Sequence, residues 1–65
     1  MTTGPAMQTY EIRLLAADGT IAMVHLTACD SVEQALERAR TIGGVHYDRY
    51  EVWQGTHKVA EGRAP

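Results

Sequence analysis

The 65-residue chain has a single cysteine, no phenylalanine, two prolines and no run of apolar residues longer than four. Each shortage excludes something. A lone Cys29 closes no internal disulfide, and one unpaired thiol fits the reducing cytoplasm. Without a long apolar run there is no membrane-spanning helix. Met1 to Met7 contain neither a basic nor an apolar stretch, so they do not read as a signal peptide. Positive charge is scarce too. Six Lys and Arg against eight Asp and Glu give a net charge of −2, with no overall electrostatic reason to bind nucleic acid or an anionic membrane.

What remains is ordinary for a folded domain, 45% hydrophobic and 22% charged, and too apolar for a disordered tail. The length admits one domain. A chain this short buries only about 60% of the surface that it exposes when unfolded. Its stability is therefore marginal, and it gains by burying more surface against itself or a partner.

Hydropathy patterning divides the chain into ββαββ, an α+β arrangement over residues 9–61. Met1 to Gln8 read as a leader and residues 62–65 as a frayed tail. From Thr9 to Ala16, Tyr10, Ile12, Leu14 and Ala16 alternate with Glu11 and Arg13, as in a half-buried strand, and Leu15 breaks the alternation on the outer face. Ala17-Asp18-Gly19-Thr20 is a hairpin turn with two registers. A two-residue loop turns Ile21, Met23 and His25 to the core. A three-residue loop with Gly19 left-handed turns Ala22, Val24 and Leu26 inward, buries no histidine and sets Glu11 opposite His25 outside. The second is the expectation here, and it leaves Ile21 and Met23 on the outer face.

Asp30 and Glu33 form a capping box, and Val32, Ala35, Leu36 and Ala39 make the apolar stripe of a helix that Gly43-Gly44 stops. From Arg49 to Gln54, Tyr50 and Val52 point inward while Arg49, Glu51 and Trp53 point out. Gly55-Thr56 fits a two-residue turn that sets Lys58 beside Trp53 and Val59 opposite Val52 in the core. A right-handed crossover yields a four-stranded antiparallel sheet of order 2-1-3-4 under one helix. Direct pairing of strands 2 and 3 is the alternative.

Tyr10-x-Ile12-x-Leu14, Asp18-Gly19, the Asp30/Glu33/Ala35 helix start and above all Glu51-Val52-Trp53-Gln54-Gly55 with Lys58-Val59-Ala60 resemble a group of short bacterial proteins of unknown function. The resemblance spans residues 9 to 61. It implies a complete small domain and lends no activity, cofactor or catalytic residue.

Candidate chemistry is thin. His25, Cys29, Asp30, His46, Asp48 and His57 are metal-ligand types, but their spacing matches no two-pair zinc pattern, so no metal or cofactor is expected. Cys29 precedes a helix N-terminus, which lowers a thiol's pKa, with His25 four residues away; this is the one route to a thiol enzyme or redox switch. Glu33 and Glu37 share a solvated helix face. Gly43-Gly44 follows a helix rather than opening one, unlike a phosphate loop. Arg13, Arg49, Lys58 and Trp53 fall on the outer sheet face, the make-up of a nucleic-acid platform, but Glu11 and Glu51 share it. The same face carries Leu15, Ile21, Met23 and Trp53 with no second layer to cover them. Strand 2 is an edge without a permanent charge from Ile21 to Leu26. The expectation is a non-catalytic cytoplasmic interaction module or accessory subunit that self-associates through Arg13, Leu15, Ile21, Met23, Arg49, Trp53 and Lys58 or through the strand-2 edge. Nucleic-acid binding is the alternative.

Overall fold

The computed structural model describes residues 7–43 and 47–63. Five elements follow in order: β1 (Gln8–Leu15), β2 (Ile21–Cys29), α1 (Val32–Gly43), β3 (Arg49–Gln54) and β4 (His57–Arg63). The sheet has order β2-β1-β3-β4, antiparallel at every pairing, with α1 on one face. This is the ββαββ architecture and strand order that the patterning predicts.

The core lies between α1 and the central strands. Tyr10, Ile12 and Leu14 of β1, Tyr50 and Val52 of β3 and Cys29 of β2 are buried against Ala35 and Ala39 of α1. Two alanines one helical turn apart let the helix backbone approach the sheet closely. Val32, Leu36, Ile42, Tyr47 and Ala60 pack around this centre. The helix starts one residue later than predicted. Ser31 is the cap: its Oγ accepts the Gln34 N–H at 3.1 Å, while Gln34 Oε1 accepts the Asp30 N–H at 2.9 Å. The box is thus Ser31/Gln34 rather than Asp30/Glu33, because Ser31 and Gln34 have the same three-residue spacing and sit where the helix actually opens. Gly43 is its last residue, and Gly44 lies outside the described ones.

The first hairpin has the expected three-residue turn but not the expected register. Gly19, at φ +90, donates to the Ala16 carbonyl at 2.9 Å, and the Ala16 N–H donates to the Thr20 carbonyl at 2.9 Å. Asp18 Oδ1 accepts both the N–H and the hydroxyl of Thr20, which lowers the Asp18 pKa. Leu15 then pairs with Ile21, but Leu14 pairs with Met23, so Ala22 is an extra residue in β2. Past this bulge every side chain changes face. Met23 and His25 turn to the helix side opposite Leu14 and Ile12, and Val24 and Leu26 turn outward opposite Arg13 and Glu11. This corrects three expectations: Val24 and Leu26 are not core residues, Met23 is not on the outer face, and His25 does not face Glu11.

The second hairpin repeats the pattern. Gly55 at φ +62 leads the two-residue turn, and Gln54 pairs with His57 and Trp53 with Lys58, as expected. A bulge between Val52 and Trp53 then sets Ala60, not Val59, opposite Val52. Val59 is left exposed at 36%. Of the tail expected to fray, Gly62 and Arg63 belong to β4 and pair with Tyr50 and Arg49, and residues 64–65, like residues 1–6 of the leader, lie outside the described residues. Gln8, placed in the leader by its lack of periodicity, already belongs to β1 and pairs with Cys29.

The extension of β4 depends on Gly62. A Cβ there would stand 2.6 Å from Tyr50 Cε1 and overlap its hydroxyl. The Tyr50 ring is buried and its hydroxyl accepts from Arg40 Nε at 3.2 Å, so it has little freedom to retreat. Gly62→Ala is expected to lower unfolding free energy by about 1–3 kcal/mol, read from urea unfolding, despite alanine's better backbone propensity. An unchanged midpoint would mean that the ring moves freely.

Candidate interaction surface at the β2 edge

The outer sheet face divides in two. Across β1, β3 and β4 it is a charge lattice. The Arg13 guanidinium pairs with Glu11 and lies 4.1 Å above the Trp53 ring centre. Trp53 Nε1 donates to Glu51 at 2.9 Å, and Lys58 Nζ stands 3.7 Å from Glu51 and 2.7 Å from Glu61. Lys58 holds the Glu61 carboxyl below its usual pKa, and Glu61 holds the Lys58 ammonium above its own. Arg49 is 3.9 Å from Asp48, and its guanidinium reaches the β1–β2 turn, where an added Cβ at Gly19 would lie 3.6 Å from Nη2. Arg49 is the partner of Leu15 in the β1–β3 register, and Leu15 is only 4% exposed.

The expected surface residues are therefore split up. Arg13, Arg49, Trp53 and Lys58 lie together on the lattice, each with a neighbour of opposite character. Trp53 is half-buried under Arg13 and is not the centre of an open apolar patch. Leu15 is buried, which removes it from such a patch. Ile21 is on the outer face at 52% exposure, and Met23, at 42%, is on the helix side.

The apolar surface lies instead on β2. Ile21, Val24 and Leu26 are 52%, 51% and 64% exposed on its outer face, and every residue from Ile21 to Leu26 is exposed. Only Thr27 and Cys29 of this strand are buried. Sequence reasoning missed Val24 and Leu26. One signal was available: the apolar residues of β2 fall on both parities along the strand, whereas on β1 only Leu15, its last residue, leaves the alternation.

The free edge also has a definite backbone polarity. The Asp48 N–H donates to the Leu15 carbonyl at 3.1 Å, so the Leu15 backbone points toward β3. Backbone groups in an antiparallel ladder alternate in direction. Arg13, Glu11 and Thr9 therefore also point toward β3, and their β2 partners Val24, Leu26 and Ala28 point away from β1. At these three residues N–H and C=O face solvent. The opposite edge, β4, carries His57, Lys58, Glu61 and Arg63; β2 has no formal charge to guard it.

Beside this edge, β2 and α1 form an open groove of about 490 Å³ lined by His25, Gln34, Glu37, Arg38, Thr41 and Ile42. Arg38 Nη1 donates to Thr27 Oγ1 at 3.0 Å and ties the groove wall to the strand. Cys29 is fully buried, its Sγ 3.9 Å from Thr27 Oγ1. Glu33 and Glu37 are exposed on α1. Among the described residues no three His, Cys, Asp or Glu side chains converge, and His46 lies outside them. No helix among them is long and apolar enough to cross a membrane.

Comparison with family models, curated proteins and solved structures returns no match to this chain.

A thiol that reacts only when the core opens should be slow. Native Cys29 is expected to react with an aromatic disulfide reagent at least about 100-fold more slowly than the urea-unfolded chain, the factor set by an opening free energy of about 3 kcal/mol. Equal rates would restore the thiol-switch reading.

Proposed function

We propose that this chain is a small non-catalytic protein-interaction module of the cytoplasm that takes an extended segment of polypeptide onto the β2 edge. The observation that carries the reading is the exposed run from Ile21 to Leu26, with outward-facing backbone at Val24, Leu26 and Ala28 beside an open groove. Strand addition uses such an arrangement. Main-chain hydrogen bonds supply affinity, and pockets for alternate side chains supply specificity. An incoming strand would lay one set of side chains along Ile21, Val24 and Leu26. The other set would lie over the groove of His25, Gln34, Glu37, Arg38, Thr41 and Ile42. No residue is assigned a catalytic role.

Nucleic-acid binding through Arg13, Arg49, Trp53 and Lys58 has weaker support. Each of these cations has a carboxylate beside it, and Arg13 occupies the Trp53 face on which a base would stack. Displacing those carboxylates offsets the gain from releasing counterions. Titrations with short single- and double-stranded oligonucleotides at low salt are expected to stay flat; salt-dependent binding lost on Lys58→Ala would reverse the preference.

The strand-addition reading is tested by photo-crosslinking in the cells that make the protein. A benzophenone side chain replaces Leu26, and as a control Thr56 in the far turn. The expected outcome is a discrete polypeptide adduct from position 26 only. No adduct, or the same adducts from both positions, would overturn the reading.

A further inference from the structure

This inference rests on the reading of β2 as a docking edge and names its occupant. We infer that β2 pairs with β2 of a second copy of this chain, antiparallel, with Leu26 on the twofold axis, so that two four-stranded sheets become one continuous sheet.

The register follows from the backbone. Only Val24, Leu26 and Ala28 direct their N–H and C=O groups away from β1 past the bulge. In a symmetric antiparallel pair these residues must meet one another. Centring on the middle one sets Val24 opposite Ala28 of the second copy, Leu26 opposite Leu26, and Ala28 opposite Val24. Each hydrogen-bonded pair exchanges two bonds, about six in all. Moving the centre to His25 sets Ala28 opposite Ala22, the bulged residue, and moving it to Val24 sets Leu26 there. Moving it to Thr27 sets Val24 opposite Asp30, beyond the strand. The Leu26 centre alone lets all three outward residues find each other in regular backbone.

The side chains agree with this seam. β2 carries no formal charge, so no register of two copies sets like charges opposite. Leu26, at 64% the most exposed large apolar residue among the described ones, meets its own copy, and Val24 meets the small Ala28. A foreign strand with charged side chains would find no complementary charge on Ile21, Val24 and Leu26. On the helix side Thr27 of the second copy comes opposite His25, and Met23 opposite Cys29, which covers part of the exposed Met23. The contact is one strand wide and falls below the standard size of a stable interface, so the dimer is reversible, with a dissociation constant on the order of micromolar.

The test combines sedimentation equilibrium on the intact chain, from about 1 μM to about 1 mM, with amide hydrogen exchange at the two extremes. The expected result is a monomer–dimer equilibrium in which the Val24, Leu26 and Ala28 amides gain protection as the dimer forms. Leu26→Pro removes an N–H that no β1 group uses and should weaken the dimer at least about tenfold while the circular dichroism stays native. Should that variant fail to fold, Leu26→Lys sets two ammonium groups on the axis and should weaken it likewise. A monomer across the whole range overturns the self-pairing. So does a dimer in which the Leu26 amide stays unprotected, which would place the contact on another face. Either outcome together with a Leu26 crosslink to a different polypeptide leaves the docking-edge reading standing; the same outcome with no crosslink removes both.

Discussion

Two demands on β2 conflict, and one extra residue reconciles them. The tight turn through Gly19 requires Ala16 opposite Thr20 and Leu15 opposite Ile21. The core requires Thr27 and Cys29 to face α1, and therefore Leu14 opposite Met23. These pairings differ by one residue. Ala22 absorbs the difference as a bulge, at the cost of one disrupted ladder position. Everything exposed on β2 follows. Val24 and Leu26 turn to the side where no helix covers them, and His25 turns to the wall of the groove.

The division of the outer face has a similarly local cause. On β1, β3 and β4 the outward positions include Glu11, Arg13, Arg49, Glu51, Trp53, Lys58, Glu61 and Arg63; Arg13 faces Glu51 in the register, and where Glu51 faces Glu61 the ammonium of Lys58 reaches both carboxylates. Individual exposed ion pairs contribute little to stability. Their collective effect is on recognition: Arg13, Arg49 and Lys58 each have a carboxylate beside them, which leaves these cations less available to an external anion. β2 has no polar partners to offer on that face. One half of the sheet is thus closed to ligands by internal pairing, and the other half is open because nothing pairs with it.

That contrast links the energetics to the proposed role. A domain of this length has a small core, here centred on β1 and β3 with two alanines of α1 against them. The helix does not extend over the turn-proximal half of β2. A strand added at the edge would bond free backbone groups and shield apolar side chains at once, without any change in the core. The two ends of the sheet differ for this reason: β4 carries charges at its free edge and β2 carries none.

The sequence by itself determined the elements. The alternation in β1 and β3, the spacing of Val32, Ala35, Leu36 and Ala39, and the glycines at both turns specified ββαββ, because these signals are local and repeat within a few residues; the crossover rule favoured the strand order, and the structure decided it against direct pairing of β2 and β3. Arg13, Arg49, Trp53 and Lys58 were legible as one face for the same reason. The tertiary structure decided which side of β2 is which, and which residue of β4 enters the core. Each hairpin holds a bulge, at Ala22 and at Val59. A bulge is a compromise between turn geometry and distant packing, here the burial of Cys29 under α1 and of Ala60 opposite Val52. No residue type announces it, since alanine and valine sit as well in regular strand. The open strip of Val24 and Leu26 was therefore decided by contacts remote in the chain.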